Sequence, residues 1–434
     1  MMAHATINLP RGRRRAQGAE IFLDGTDFRV WAPVCQSVEL RLENTDAVHA
    51  LAPEGDGHWF VRVVAGAGTR YRYRLDGKGW IPDPVARWLP EGPHGPAEVV
   101  EPRAFSWSDA RWPGLSHHGQ IIYEMHVGTF SPEGTWAGAA DKLMDLKDLG
   151  ITVIEMMPVT EFAGRFGWGY DGVAWLAPTR NYGQPDDLRR FVDQAHQHGL
   201  GVILDVVYNH LGPDGNYLER FAPWYVSHEA TEWGTSLNFD GEHNQAMRRL
   251  VIDSATSWIE EYHFDGLRLD AIHSIVDRSP DHIVAAITRE CRAVAGARSL
   301  FISAENETQE SGYIRPVESG GGGLDAVWND DFHHAAAVAL SGRRHAYYRD
   351  YQGAAAEWLA AAKYGFLFQG QRSDWQSKRR GQATRDQEMA SFVAFLENHD
   401  QVANTLQGAR LWQQSHPGCH RAMRSLRRAL IVFR

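Results

Sequence analysis

The chain has 434 residues, with 44 Lys and Arg against 54 Asp and Glu, for a net charge of -10. At about 100–200 residues per domain that length implies two or more domains, and an acidic balance spread along the chain argues against a nucleic-acid partner. No apolar run approaches the roughly 20 residues that span a bilayer, the first fifteen residues hold no apolar signal segment, and Cys35, Cys291 and Cys419 are too few and too scattered for a disulfide framework. The expectation is a cytoplasmic protein without a membrane partner.

Residues 1–19, with a basic run from Arg11 to Arg15, are expected to form a flexible, solvated tail. Between 20 and 105, the segments 28–32, 37–42, 59–64 and 69–75 alternate apolar and polar residues and are separated by Gly and Pro clusters. That is the pattern of a small β-sandwich. Pro82, Pro84, Pro90, Pro93 and Pro96 then mark a linker-like stretch.

From residue 120 strands and helices alternate. Strands are expected at 121–127, 151–157, 202–208, 265–270, 300–305, 324–328 and 392–396. Helices fall between them: one with Leu143, Leu146 and Leu149 inward and Gly150 as its stop, one opened by Pro185 and ended at Gly199, one through Trp258, and one over 281–295. An irregular excursion covers about 209–243. Repeated β-then-α units with apolar strands mean a parallel sheet flanked by helices, either doubly wound or a (β/α)8 barrel. The barrel is favoured because Asp205, Asp270, Glu305 and Asp400 each fall at or just past the C-terminal end of a different strand, where barrel enzymes place their sites.

In 265–273, Leu267 and Leu269 alternate with Arg268 and Asp270, so one face of the strand carries a guanidinium beside a carboxylate. Arginine at that distance lowers the carboxylate's pKa and keeps Asp270 ionised, as a nucleophile requires. Glu305 has no basic neighbour in sequence and follows an apolar strand, an environment that raises a carboxyl pKa and suits a general acid. Asp400, behind His399, is placed to hydrogen-bond sugar hydroxyls. Trp168, Tyr170, Trp224 and Trp233 suit stacking on sugar faces. Together these suggest glycoside hydrolysis. No phosphate-binding loop, Gly-x-Ser-x-Gly elbow or His-Glu-x-x-His pair is present, and His117, His118, His196 and His198 read as structural or solvated.

The blocks 205–210, 266–271, 303–306 and 397–400 resemble the four ordered motifs of the α-amylase family of glycoside hydrolases. The resemblance implies Asp270 as nucleophile, Glu305 as general acid/base and Asp400 as transition-state stabiliser, with His210, Arg268 and His399 supporting the sugar at the cleavage point. The leading sandwich resembles the carbohydrate-binding-like, immunoglobulin-like domain that precedes the barrel in branching and debranching members. Further blocks at 123–136, 164–172, 270–273 and 328–334 resemble the trehalose-releasing members. These hydrolyse the α-1,4 bond next to the terminal trehalose unit of maltooligosyltrehalose. That likeness adds substrate contacts at Tyr170, Asp205, His273, Asp331, His333, His334, Gln401 and Asn404. It implies no metal and no organic cofactor, and a functional link to an enzyme that forms maltooligosyltrehalose. A glucan branching enzyme and a non-catalytic glucan-binding protein are the alternatives. The family pattern continues past Arg434 with an eighth strand and helix and a C-terminal β domain. The expectation for residues 106–434 is therefore a (β/α)8-type TIM barrel lacking its last β/α unit, poorly stable and weakly active.

Overall fold

The computed structural model of the protein describes residues 12–432. Residues 18–98 form two antiparallel sheets, one of four strands including Gly25–Trp31 and His58–Val63, the other of five including Val38–Leu42 and Arg70–Leu75. Alternation separates the faces: Val38, Leu40, Leu42, Tyr71, Tyr73 and Leu75 are buried. Glu39 and Arg74 between them stay on the outer face and pair at 2.6 Å.

The basic run is not a solvated tail where it is described. Arg13 is 5% and Arg15 4% exposed. Arg13 donates to the Gly18 carbonyl at 2.7 Å, and Arg15 crosses to the second unit, donating to Thr256 Oγ1 at 2.8 Å and Glu260 at 2.7 Å. Acidic partners stabilise a buried guanidinium, and those of Arg15 lie some 240 positions away, so local charge could not reveal them. Residues 1–11 lie outside the described residues. Aromatic contacts complete this interface, with Trp31 edge-on to Tyr225 at 5.2 Å and Tyr73 edge-on to Phe221 at 6.1 Å.

Seven parallel strands follow: β1 (Ile122–Met125), β2 (Val153–Met156), β3 (Gly201–Val206), β4 (Gly266–Leu269), β5 (Phe301–Ala304), β6 (Ala326–Trp328) and β7 (Phe392–Val393), paired in that order. Between them run α1 (Trp136–Ala140), α2 (Leu143–Asp148), α3 (Pro185–Gln197), α4 (Gln245–Glu261), α5 (Ile283–Ala295), α6 (Asp330–Ser341), α7 (Ala355–Tyr364) and α8 (His399–Ala403); α9 (Pro417–Val432) ends the described chain. α3 starts as expected on Pro185, with a capping box between Gln184 and Asp187. The helix expected before β2 is split, and Leu149, placed inward by its spacing, is 61% exposed because α2 has ended one residue earlier. The excursion after β3 holds a hairpin, Val226–Thr231 with Gly234–Leu237.

Ile154, Val202, Leu204, Leu267, Ile302 and Val327 point outward into the core shared with the helices. Val153, Ile203, Phe301 and Ala326 point the other way and pack on one another and on Leu115, with Ile122 and Val393 against them. Inward side chains from six of the seven strands meet in one cluster, which requires a curled sheet. The doubly wound alternative is thereby set aside. Among the described residues β1 and β7 are the sheet's two edges, and a cavity of about 160 Å³ lies between them, lined by Ile122, Glu124, Val393 and Phe395 among others. No helix among the described residues is long and apolar enough to cross a membrane.

The linker after the sandwich is held at the N-terminal ends of the strands by a buried polar network. His196 on α3 bridges Asp109 and Asp265, each at 2.9 Å, and Trp112 stacks on its ring at 4.7 Å. Burial disfavours the imidazolium, yet the two carboxylates outweigh burial and raise the His196 pKa above its ordinary 6.5. A group with a raised folded-state pKa stabilises fully below its ordinary value and loses that contribution as pH rises through the folded value. His196→Gln is therefore expected to lower Tm most at pH about 6 and progressively less on the alkaline side. Thermal melts across pH check this, and a pH-independent loss refutes it.

Candidate active site

The site is built around Arg268. β4 directs its guanidinium into the barrel, where it is 1% exposed. Gly266, the residue before Leu267, lets β4 lie against β5, since a Cβ there would collide with the Phe301 carbonyl. One terminal nitrogen, Nη1, donates to both oxygens of Asp205 on β3, each at 3.0 Å, and to Asp270 Oδ1 at 2.6 Å. The other, Nη2, donates to Glu305 Oε2 at 3.0 Å. A single fork thus holds carboxylates from the ends of three adjacent strands.

The two carboxylates nearest each other in role have opposite surroundings. Burial works against ionising Asp270, but Arg268 and the Asn209 amide, which donates to Oδ2 at 2.7 Å, hold its pKa below the ordinary carboxylate value. At Glu305 burial dominates and Asp270 and Asp400 add to it. Arg268 does not compensate, and the carboxyl is pushed up to about 8. Ala271 lies between them in a left-handed conformation, φ 39° and ψ 51°, uncommon for a residue with a Cβ; its N–H points at Glu305 Oε2, 3.1 Å away. The side chains are 11% exposed at Asp270, 25% at Glu305 and 44% at Asp400. Asp270 is the deepest of the three, and the other two face the opening.

Asp400 and His399 sit at the start of α8. Glu124 on β1 takes hydrogen bonds from the His399 backbone N–H at 2.9 Å and its Nδ1 at 2.7 Å. Burial lowers the pKa of this imidazole, but Glu124 and Asp400 overcome burial and bring it to about 9. Tyr170 stacks on the same ring at 4.8 Å and donates its hydroxyl to Asp205 at 2.7 Å. Gly169, at φ 98°, makes the turn that presents Trp168 and Tyr170; a Cβ there would meet the Pro158 carbonyl. His210 bonds Asn209 and the Tyr170 carbonyl and stacks under Trp233 at 5.6 Å. His273 accepts from the Glu307 N–H at 3.3 Å beside the site. Gln401 caps α8 through the Asn398 N–H at 2.7 Å, and Asn404 is exposed, reaching Tyr347 at 3.5 Å.

Other expected contacts lie elsewhere. Asp331 is wholly buried and accepts from the Leu367 and Phe368 N–H groups, Tyr351 and Arg380. His333 bonds the Leu396 carbonyl at 2.6 Å and Tyr348 at 3.0 Å, and His334 bonds Tyr351 at 3.1 Å. These three fasten α6 to the segments around it, because helical spacing turns them away from the cleft. Trp224 is likewise not among the cleft aromatics; it packs on Trp31 and His243. Their neighbour Asp330 does belong to the site. Burial, chiefly, pushes its carboxyl up to about 7, and Asp400 and Glu307 raise it further. Glu124, Asn209 and Asp330 carry no local sequence signal: Glu124 lies within β1, Asn209 three residues past β3 and Asp330 at the start of α6. Asp205, Asp270 and Glu305 are tied to Arg268, with Tyr170, Asn209 and the Ala271 amide as further donors. The potential metal-ligand group among the described residues, His117, His118 and Glu388, lies at the N-terminal ends of β1 and β7, away from them.

A curled parallel sheet with three carboxylates on one arginine defines an α-amylase-type glycoside hydrolase, and residues 99–234 match the sequence profile of the alpha amylase catalytic domain. The malto-oligosyltrehalose trehalohydrolase of Saccharolobus solfataricus is 38% identical over 395 residues, covering 91% of this chain and 69% of that one. The enzyme of the same name from Deinococcus radiodurans is 41% identical, covering 91% and 64%. A crystal structure of a Salmonella typhimurium protein assigned as an alpha amylase superposes with a TM-score of 0.88 at 39% identity, covering 93% of this chain and 69% of that chain. The chain belongs to the malto-oligosyltrehalose trehalohydrolase family, and it spans about two thirds of the length of these relatives.

Arg268→Lys tests the fork. A lysine offers a point charge and cannot bond three carboxylates in one plane. The variant is expected to fold and to lose at least about a hundredfold in kcat on its glycoside. Full activity in the lysine variant would show that the fork is dispensable.

Proposed function

We propose that this chain hydrolyses the α-1,4 bond that joins the terminal trehalose unit of maltooligosyltrehalose to its glucan chain, releasing trehalose by a retaining double displacement. The observation that carries this reading is the Arg268 fork, which keeps Asp270 ionised while Glu305, on the other arm, holds a proton. One guanidinium bridges the two carboxyls, as suits the close pair, about 5–5.5 Å apart, of retaining enzymes. Family membership supports the substrate class.

In the first step Asp270 attacks the anomeric carbon while Glu305 protonates the glycosidic oxygen, and trehalose leaves. In the second Glu305, now ionised, takes a proton from water, which displaces Asp270 from the sugar. The carboxylates of Asp205 and Asp270, on the same guanidinium, stabilise the positive charge that develops on the ring carbon and oxygen, and His399 is a donor for a sugar hydroxyl. Asp400, more exposed than either, is placed to accept from sugar hydroxyls. Trp168 against His399 and Trp233 against His210 offer ring faces on two sides of the opening.

Incubating the protein with maltooligosyltrehalose and resolving the products tests the assignment. Free trehalose with a new reducing end that appears first as the α anomer by NMR is expected. New α-1,6 branches would identify a branching transferase, a β anomer would exclude the retaining route, and binding without products would leave a glucan-binding role. Asp270→Ala and Glu305→Gln are each expected to cost several orders of magnitude in kcat with Tm little changed; near-normal turnover in either means the roles are misassigned. The rate should fall on the alkaline side as Glu305 loses its proton near pH 8, and on the acid side as Asp270 gains one below the ordinary carboxylate range.

A further inference from the structure

Directly below Arg268 the barrel interior holds polar atoms that meet no partner. Glu155 on β2 points inward two residues after Val153, and its whole residue is 0% exposed. Neither of its carboxylate oxygens has a hydrogen-bond partner among the described residues. The same holds for three other enclosed atoms on inward-facing residues: Ser303 Oγ on β5, the Trp328 indole nitrogen on β6, and Arg268 Nε itself. Four strands therefore contribute unpartnered polar atoms to the barrel interior.

The neighbours of Glu155 decide its charge. In the parallel register Glu124 on β1 lies beside it, and Ile203 lies on its other side. Glu124 accepts two bonds from His399 and so is the partnered member of the pair. A second carboxyl beside it on the adjacent strand, wholly buried and unpartnered, is costly to ionise, and a neutral acid at Glu155 removes that cost. The charged groups that face it are Glu124 on β1, Asp205 on β3, Arg268 on β4 and His399 on α8, and its titration follows suit. Burial and Glu124 place its pKa well above the ordinary range, and Arg268 does not reverse this.

We propose that Glu155 is a positioning residue: a neutral carboxylic acid that, through enclosed water, hydrogen-bonds the underside of Arg268 and keeps one negative charge out of the site. Its O–H and carbonyl offer one donor and one acceptor, and the unpartnered Ser303 Oγ, Trp328 indole and Arg268 Nε supply the complementary set. Anchored from below, the guanidinium presents its fork at a fixed height to Asp270 and Glu305. The kinetic part of this inference rests on the proposed roles of those two carboxyls; the protonation state does not.

The test pairs a direct reading with two variants. At neutral pH the infrared difference spectrum of wild type minus Glu155→Gln should contain the carbonyl stretch of a protonated carboxylic acid; its absence overturns the proposal whatever the enzyme hydrolyses. Glu155→Gln keeps size and neutrality, so kcat and both limbs of the pH profile should stay in place. An alkaline limb displaced toward acid would mean that a negative charge had been removed, and would overturn it as well. Glu155→Leu removes the polar group and is expected to lower kcat about tenfold or more with KM little changed. If the leucine variant matches the glutamine variant, Glu155 only fills space and the positioning role is wrong; if it does not fold, the spectrum and the glutamine profile still decide. Absence of any turnover in wild type with the carbonyl band present would count against the assigned reaction and not against the neutral acid.

Discussion

One buried cation organises the catalytic end of this protein. Asp205, Asp270 and Glu305 sit at the tops of three neighbouring strands, close enough that three negative charges would repel strongly in a poorly hydrated interior. Arg268 removes that conflict by occupying the centre, and it does so unequally. It bonds Asp270 at 2.6 Å and Glu305 at 3.0 Å, while Asn209 assists only Asp270. The difference in proton affinity between two chemically similar carboxyls follows from this inequality and from burial. An inward-facing arginine at that register position in β4 is thus both a structural element of the barrel wall and the origin of the division of labour.

The alternation of each strand makes this possible. Outward residues such as Ile154, Leu204 and Ile302 join the helices in an apolar core, leaving the inward set free to change character along the barrel axis. At the N-terminal end that set is apolar, with Val153, Ile203, Phe301 and Ala326 closing on Leu115. Two residues further along each strand it becomes Glu155, Asp205, Ser303 and Trp328. The hydrophobic plug excludes bulk water from below, and the electrostatics above it act in a medium of low dielectric.

Much of this was legible before any coordinates. Period-two alternation in 266–270 places Arg268 and Asp270 on one face whatever the surrounding fold, so their pairing could be read locally. The raised affinity of Glu305 could be read from the apolar strand before it and the absence of a basic neighbour in sequence. Contacts made across long separations could not. Arg15 looks like a solvated charge until α4 supplies Glu260 and Glu261, and Trp224 looks like a cleft aromatic until Trp31 of the sandwich packs on it. Asp331, His333 and His334 share a motif with Asp330, but a helix beginning at Asp330 sends successive side chains in different directions, and only the first faces the carboxylates. Spacing names the motif; helix phase decides which of its members meet the cleft.

The pairing of Glu124 with His399 has a mechanical meaning as well. Glu124 belongs to the first strand of the barrel and His399 to the helix that follows the seventh, so these two bonds span the seam between the two edges of the sheet at its upper rim. Lower down the cavity separates those edges, and His118 meets Glu388 at 3.7 Å beneath it. The upper clasp is the one beside the site, and Asp400 is the next residue along from it. Any widening of the seam would carry Asp400 away from Asp270 and Glu305, which ride on strands far from it, so the spacing of the three carboxylates acts as a gauge of how tightly the barrel wall is drawn together.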